Sequence, residues 1–344
     1  MTIFDLVTAP ELTAYWETLN QDRAPYLGET LFPNQKKLGL DLKWLKGSKG
    51  LPVVLKLSAF DAQAVPRTRI GFEKISAEMP FFKESMYVDE ELRQELNKVL
   101  ESGNQAYIDS VINRVFDDEG TLIDAAAVAR ERMRMMLLTT GTIVMASNGQ
   151  TYTYDYGLNS AQKPTVGTSW SNTSADIVND IRTWQDERED ATGVRPTRAI
   201  CSRKTFGYIL KNTDIRNAVW GNSASAPINE AKAKQYLMDE LDLEVVVYTK
   251  RYKDETGATQ KFVPDDTFVL FPAGNLGSTW FGTTPEESDL MASASVDNVS
   301  IVDTGVAVTT MRRADPVNVE TKVTQIALPS FESADQIVIA DVIA

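Results

Sequence analysis

Asp265 and Asp266 stand side by side in KFVPDDTFVLFP, between two apolar pieces. An acidic pair at the start of a strand can hold a metal ion, although the same pair more commonly makes turn hydrogen bonds. The acidic runs Asp186–Asp190 and Glu286–Asp289 read first as solvated faces. The rest of the reactive inventory is narrow. The chain has no histidine and a single cysteine, Cys201. That removes Ser-His-Asp and Cys-His catalysis, His-ligated zinc and the commonest general base. One thiol makes neither an intramolecular disulfide nor a cysteine metal site. No GxxxxGK[ST], GxGxxG or GxSxG pattern occurs. Carboxylate, lysine or tyrosine chemistry stays open, for example a carboxylate-dependent hydrolase using two of the many acids. No acid pair flanked by aromatics marks such a site. Neither catalytic residues, a cofactor site nor a metal site is assigned.

At 344 residues the chain has room for two or three domains, and its 43% hydrophobic and 24% charged content is that of a globular protein. Apolar runs such as Val245–Tyr248 are too short to cross a bilayer, and the N-terminus lacks the pattern of a signal peptide. The net charge of −13 argues against general affinity for nucleic acid. Within this acidic chain, residues 36–75 carry nine basic and three acidic side chains, a local +6. Val53–Phe60 and Arg67–Ile75 are rich in β-formers, Thr68, Ile70 and Phe72 alternate, and Asp61–Pro66 reads as the turn between them. This predicts a two-stranded hairpin with a basic face. Such a hairpin is marginal alone, so it must pack on its own sheet or on a neighbour. A nucleic-acid patch fits less well, because interleaved exposed aromatics are missing. Lys56, Arg67, Arg69, Phe72 and Lys74 are the candidate contact residues.

The element best placed to organise the chain is a predicted helix over Thr121–Thr140. Leu122, Ala126, Ala129, Met133 and Met136/Leu137 recur at spacings of three and four, which puts them on one face, expected to meet a sheet. Thr121 with Asp124 resembles a capping box, and Arg130, Arg132 and Arg134 lie towards the C-terminal end. Upstream, helices are expected at Pro10–Leu19, Glu90–Leu100 and Gln105–Phe116. Ser147-Asn148-Gly149 predicts a hairpin between Thr142–Met145 and Thr151–Tyr156. Beyond a loop at 157–172, helices alternate with the strands Arg198–Ser202 and Leu243–Lys250. The chain closes on strands at Ser300–Val302, Val306–Met311, Val317–Ala327 and Gln336–Val342. The fold class is α+β.

This order of elements resembles the major capsid proteins of tailed bacteriophages, the Hong Kong-97-type fold, and within it the lambda-type major capsid protein E family. Three stretches carry the resemblance: TLFPNQKKLGL (30–40), KFVPDDTFVL (261–270) and DPVNVETKVTQIALPSFESADQIVIADV (315–342). It implies an N-terminal arm (1–50), an extended loop overlapping an adjacent subunit (51–80), a peripheral domain (81–172 and 311–344) and an inserted axial domain (173–310). Thr121–Thr140 would be the spine helix, or the second half of it, with Ala126, Ala129 and Met133 on its packed face. Arg130, Arg132 and Arg134 would lie on the shell's inner surface or at a subunit contact.

The implied function is self-assembly, without catalysis, into hexamers and pentamers of an icosahedral head that encloses double-stranded DNA. Implied partners are copies of itself, a scaffolding protein, a portal protein and a decoration protein. DNA would be enclosed without sequence-specific binding, and no membrane would be involved. The protein would assemble in the host cytoplasm and reside in the virion. No helical scaffolding segment precedes the arm, which points to a separate scaffold, and no Lys–Asn crosslinking triad is marked. An encapsulin-like shell around protein cargo is the alternative of the same fold. A basic loop in an acidic chain suits head-to-tail docking of like subunits.

Overall fold

The computed structural model describes residues 7–20, 24–46, 73–88, 105–147, 149–221, 226–292, 298–314 and 317–344, with scattered positions between 90 and 98. In chain order, α1 (Ala9–Asn20) and α2 (Leu27–Leu31) precede β1 (Asn34–Lys36), β2 (Asp41–Lys46), β3 (Glu73–Glu78) and β4 (Phe81–Val88). A 36-residue helix, α3 (Gln105–Thr140), leads into β5 (Thr142–Ser147) and β6 (Gln150–Asp155). There follow α4 (Ile177–Thr192), β7 (Arg198–Cys201), α5 (Arg203–Lys211), α6 (Thr213–Trp220) and α7 (Glu230–Leu241). The strands β8 (Glu244–Val247), β9 (Arg251–Lys253), β10 (Thr259–Lys261), β11 (Thr267–Phe271) and β12 (Thr279–Phe281) come next. Last are α8 (Pro285–Ala292), β13 (Val299–Val302), β14 (Val306–Ala314), β15 (Val317–Pro329) and β16 (Val338–Asp341).

Two compact units divide these elements: Met1–Leu42, Ser76–Met133 and Ser278–Ser330 in one, and Lys43–Ile75, Arg134–Gly277 and Phe331–Ala344 in the other. Within the first, β12 and β14 both pair with β15.

The first unit is built on β15, whose sequence VNVETKVTQIALP alternates valine with threonine as a strand should. Along one edge it pairs antiparallel with β14, from Val306↔Gln325 to Ala314↔Val317. Along the other edge it takes β4 (Phe81↔Ile326 to Val88↔Val319) and then β12 (Thr279↔Pro329). β1 adds in parallel to β12, and β13 closes the far side beyond β14. Nearly all of β15 is buried, so its polar residues Asn318, Glu320, Thr321, Thr324 and Gln325 lie inside and need partners. Glu286 of α8 supplies one set, meeting Lys322 Nζ at 2.6 Å and accepting the Thr324 hydroxyl at 2.9 Å. α1 packs on β13 and β14.

The second unit holds a four-stranded sheet in the order β16-β11-β7-β8. β7 and β8 run parallel, while β11 is antiparallel to both of its neighbours. In its core Trp184 stacks on Trp170 and Phe268 packs against it at a tilt, with ring centroids 5.9 and 5.1 Å from Trp170. α4 starts where the Asp176 side chain accepts the Asn179 N–H, and it stops at Gly193, whose φ of 74° gives a left-handed cap. The C-terminal strand β16 lies in the sheet as expected, pairing Val338–Asp341 with β11. β5 and β6 form the hairpin that the Asn-Gly signal predicted, with Gly149 at φ 74°.

Candidate functional site: the long helix and its polar face

α3 is longer than its sequence pattern suggests. Gln105–Phe116 and Thr121–Thr140 join in one rod of about 54 Å, at 1.5 Å per residue, that runs through Gly120, so Thr121–Thr140 is its second half. The residues read as a capping box lie inside this helix. Thr121 Oγ1 donates back to the Asp118 carbonyl at 2.6 Å. Asp124 instead accepts the Trp16 indole N–H at 3.1 Å, and Asp117 accepts the Tyr15 hydroxyl at 2.7 Å. These acids fasten α1 to α3. Tyr15 also packs on Phe116, with ring centroids 5.4 Å apart. A Cβ on Gly120 would lie 3.7 Å from Trp16 Cδ1, so the glycine sits directly under the indole.

The other face of α3 meets β15. Gln325 donates its Nε2 to the Ala126 carbonyl at 3.0 Å, and its Oε1 accepts Arg130 Nη1 at 2.9 Å. Arg130 Nη2 reaches Asp303 Oδ2 at 2.7 Å, and its guanidinium lies 5.3 Å from the centre of the Phe281 ring. Burial pulls the Arg130 pKa down, while Asp303 and Glu29 push back. Glu131, next on the helix, is fully buried and accepts the Gly28 N–H at 3.2 Å.

Ala126 and Met133 are buried and Ala129 is half-buried, so the apolar stripe packs inward. The expectation for Arg130 and Arg134 is overturned. They are 4% and 2% exposed, and surface contacts of a shell are not open to side chains so deeply enclosed. An arginine's planar fork can be satisfied inside a fold by a carboxylate and an amide together, as Asp303 and Gln325 do for Arg130. Periodicity marks the helix but not these partners, which lie far along the chain.

Of the hairpin contacts, Lys56, Arg67, Arg69 and Phe72 lie outside the described residues, as do most of the two predicted strands. Lys74 lies on β3, which pairs with β2. Lys36, at the start of the basic stretch, is held internally: its Nζ is 2.5 Å from Glu287 Oε2 and 2.9 Å from the Gly282 carbonyl.

Asp265 and Asp266 do the work of a turn. Asp265 accepts the Ser202 hydroxyl at 2.7 Å and Lys261 Nζ at 2.6 Å. Asp266, at φ 66°, accepts the Tyr208 hydroxyl at 2.8 Å and Lys204 Nζ at 2.7 Å. Its own N–H donates to Thr205 Oγ1 at 2.9 Å. The pair thus fixes the start of β11 to the first turns of α5, each carboxylate balanced by a lysine. Among the described residues no group of acids, histidines or cysteines is arranged to hold a metal, and no helix is long and apolar enough to cross a membrane.

The same fold occurs in solved structures. A prophage protein from E. coli CFT073, provisionally described as a capsid protein, superposes with a TM-score of 0.61 at 14% identity over 98% of this chain and 99% of its own. A phage-related protein from Bordetella bronchiseptica RB50 gives 0.57 at 15% identity over 97% of each chain. The capsid subunit of cyanophage A-1(L) gives 0.50 at 14% identity, over 93% and 92%. Among curated proteins none matches the sequence. The sequence itself matches the family of phage major capsid protein E over residues 8–342. The α+β fold is that of tailed-phage capsid subunits, and the chain belongs to the phage major capsid protein E family.

Proposed function

We propose that this capsid protein closes into hexamers and pentamers of an icosahedral head that encloses double-stranded DNA, and that it does so without catalysis. The observation that carries this reading is the family match over residues 8–342, almost the whole chain. The inventory of side chains supports it: a chain with no histidine and one buried cysteine keeps few tools for chemistry. In this reading residues 1–50 are an arm and 51–80 a loop lapping the neighbouring subunit. Residues 81–172 with 311–344 form the periphery, and 173–310 reach the capsomer axes. A scaffolding protein, a portal protein and a decoration protein are the further partners, met in the host cytoplasm.

The loop is the part most open to test. Arg67 and Arg69 belong to a +6 stretch of a chain whose total is −13, so a second copy offers them acidic surface. Reversing both to glutamate should leave the subunit folded and abolish shells on a sucrose gradient. Normal shells from R67E/R69E would defeat the docking scheme. For the function as a whole, negative-stain images of the purified chain should show shells or five- and six-membered rings, and a stable monomer would contradict it.

A further inference from the structure

α8 (Pro285–Ala292) lies on β13 and β14, yet none of its residues is fully buried. Its start is well made. Thr284 accepts the Glu287 N–H on its side-chain oxygen at 3.3 Å and the Ser288 N–H on its carbonyl at 2.9 Å, and Pro285 takes the first helical position. Its packing is inverted. Of its apolar residues only Leu290 is half-buried, while Pro285 and Ala292 are exposed and Met291 is 62% exposed. The side chains that α8 turns inward are two glutamates, each 12% exposed. Glu286 Oε1 meets Lys322 Nζ at 2.6 Å, and its Oε2 accepts the Thr324 hydroxyl at 2.9 Å. Both partners stand on the face of β15 opposite Gln325, which is bonded to α3. Glu287 Oε2 lies 2.5 Å from Lys36 Nζ on β1. Among the described residues, no other side-chain hydrogen bond or ion pair joins α8 to the sheet.

A helix of eight residues does not hold its shape alone in water, and α8 has little apolar area to bind it to the sheet. Its place therefore depends on the two carboxylates. Burial by itself raises the Glu286 pKa, but Lys322 and Thr324 together hold it below the ordinary carboxylate range, so the contact is ionic at neutral pH. The chain is clamped only as far as Thr283. Gly282 N–H donates to the Ile326 carbonyl at 2.9 Å, a Cβ on Gly282 would lie 2.8 Å from the Gly39 carbonyl, and Thr283 Oγ1 accepts the Gly39 N–H at 3.4 Å. Lys36 Nζ also donates to the Gly282 carbonyl at 2.9 Å, a bond that outlasts any departure of α8. Opening beyond this point returns both partners of each pair to water, which offsets most of the attraction lost.

We propose that α8 is a strap held by charge, which lifts from the sheet as one piece beyond Thr283 and bares Lys322 and Lys36. The closed strap covers two lysines with the chain's own carboxylates, and the open strap leaves the strands beneath it intact, because β14 and β15 are paired along their length without it. The device acts within one subunit and does not depend on the arm, loop or capsomer roles proposed above.

Hydrogen exchange and lysine acetylation of the full-length chain at pH 7 test it, the second with an N-hydroxysuccinimide ester of acetate and readout by mass spectrometry. In E286Q/E287Q, which keeps the shape of both side chains, the protection of amides 288–292 should fall roughly tenfold or more, as expected for the loss of hydrogen bonds to charged groups. Amides of β14 and β15 should keep theirs. Lys322, which labels more slowly than the half-exposed Lys204 in the unaltered chain, should then label about as fast. Level protection of α8 in the variant, or an equal loss in α8 and β15, overturns the strap. Should the double variant fail to fold, E287Q decides, since it leaves the Lys322 pair in place. A smaller loss confined to 288–292 supports the proposal, and no loss, or one shared with β15, refutes it.

Discussion

Arg130 Nη2 lies 2.7 Å from Asp303 Oδ2, with the arginine side chain 5% exposed and the aspartate 32%. The two ends of this pair are therefore not equivalent. Removing the carboxylate strands a buried cation, whereas removing the guanidinium leaves an aspartate that water can reach.

Asp303→Ala should destabilise the chain by about 3 kcal/mol, the usual cost of leaving a buried charge alone. Arg130→Met fills similar space without a charge and should cost less, although Gln325 Oε1 then loses its donor. Urea unfolding of both variants gives the comparison. A larger loss for Arg130→Met would mean that the arginine's packing on Phe281 outweighs its charge balance.

How far the sequence reveals this arrangement depends on how far apart the partners lie. Local signals carried well: the Asn-Gly hairpin, the alternation of β15 and the C-terminal strand are set by neighbours within a few residues. The seam of α1 on α3 was misread for the same reason. Asp117, Thr121 and Asp124 have the composition of a helix start, and only the approach of Tyr15 and Trp16, 102 and 108 positions away, shows that these acids serve another helix. Three arginines spaced along a helix end read as exposed, since burial of Arg130 rests on Asp303 and Gln325, 173 and 195 positions on. The short helix α6 was also overlooked, its start set by Asn212 Oδ1 accepting the Asp214 and Ile215 N–H groups.

The seam itself makes an ordering prediction. Trp16 Nε1 bonds Asp124 in a part-buried site, while the Tyr15 hydroxyl bonds Asp117 in an exposed one. Trp16→Phe removes a hydrogen bond to a charged acceptor and some buried ring area, and should cost about 2 kcal/mol. Tyr15→Phe keeps the contact with Phe116 and loses a bond that water can replace, so about 0.5 kcal/mol is expected. Chemical denaturation at pH 6 measures both. Equal costs would show that α1 is not held mainly through the indole.

Gly141 and Gly149 bracket β5 with almost the same backbone, at φ 73° and 74°. Their surroundings differ. A Cβ on Gly149 would meet nothing within 4 Å, whereas one on Gly141 would lie 2.8 Å from Leu158 Cγ and closer still to its Cδ1. Alanine at 149 therefore carries only the left-handed penalty, about 1 kcal/mol. Alanine at 141 adds a collision at the point where α3 ends and the Gly141 N–H caps the Leu137 carbonyl at 2.9 Å. Overpacking of this kind brings the total to about 3 kcal/mol. Thermal melts of G141A and G149A separate the two contributions, and G141A/L158A should recover part of the loss, since shortening the leucine removes the obstructing atoms. If the double variant melts no higher than G141A, the strain lies in the backbone alone and the contact with Leu158 is incidental.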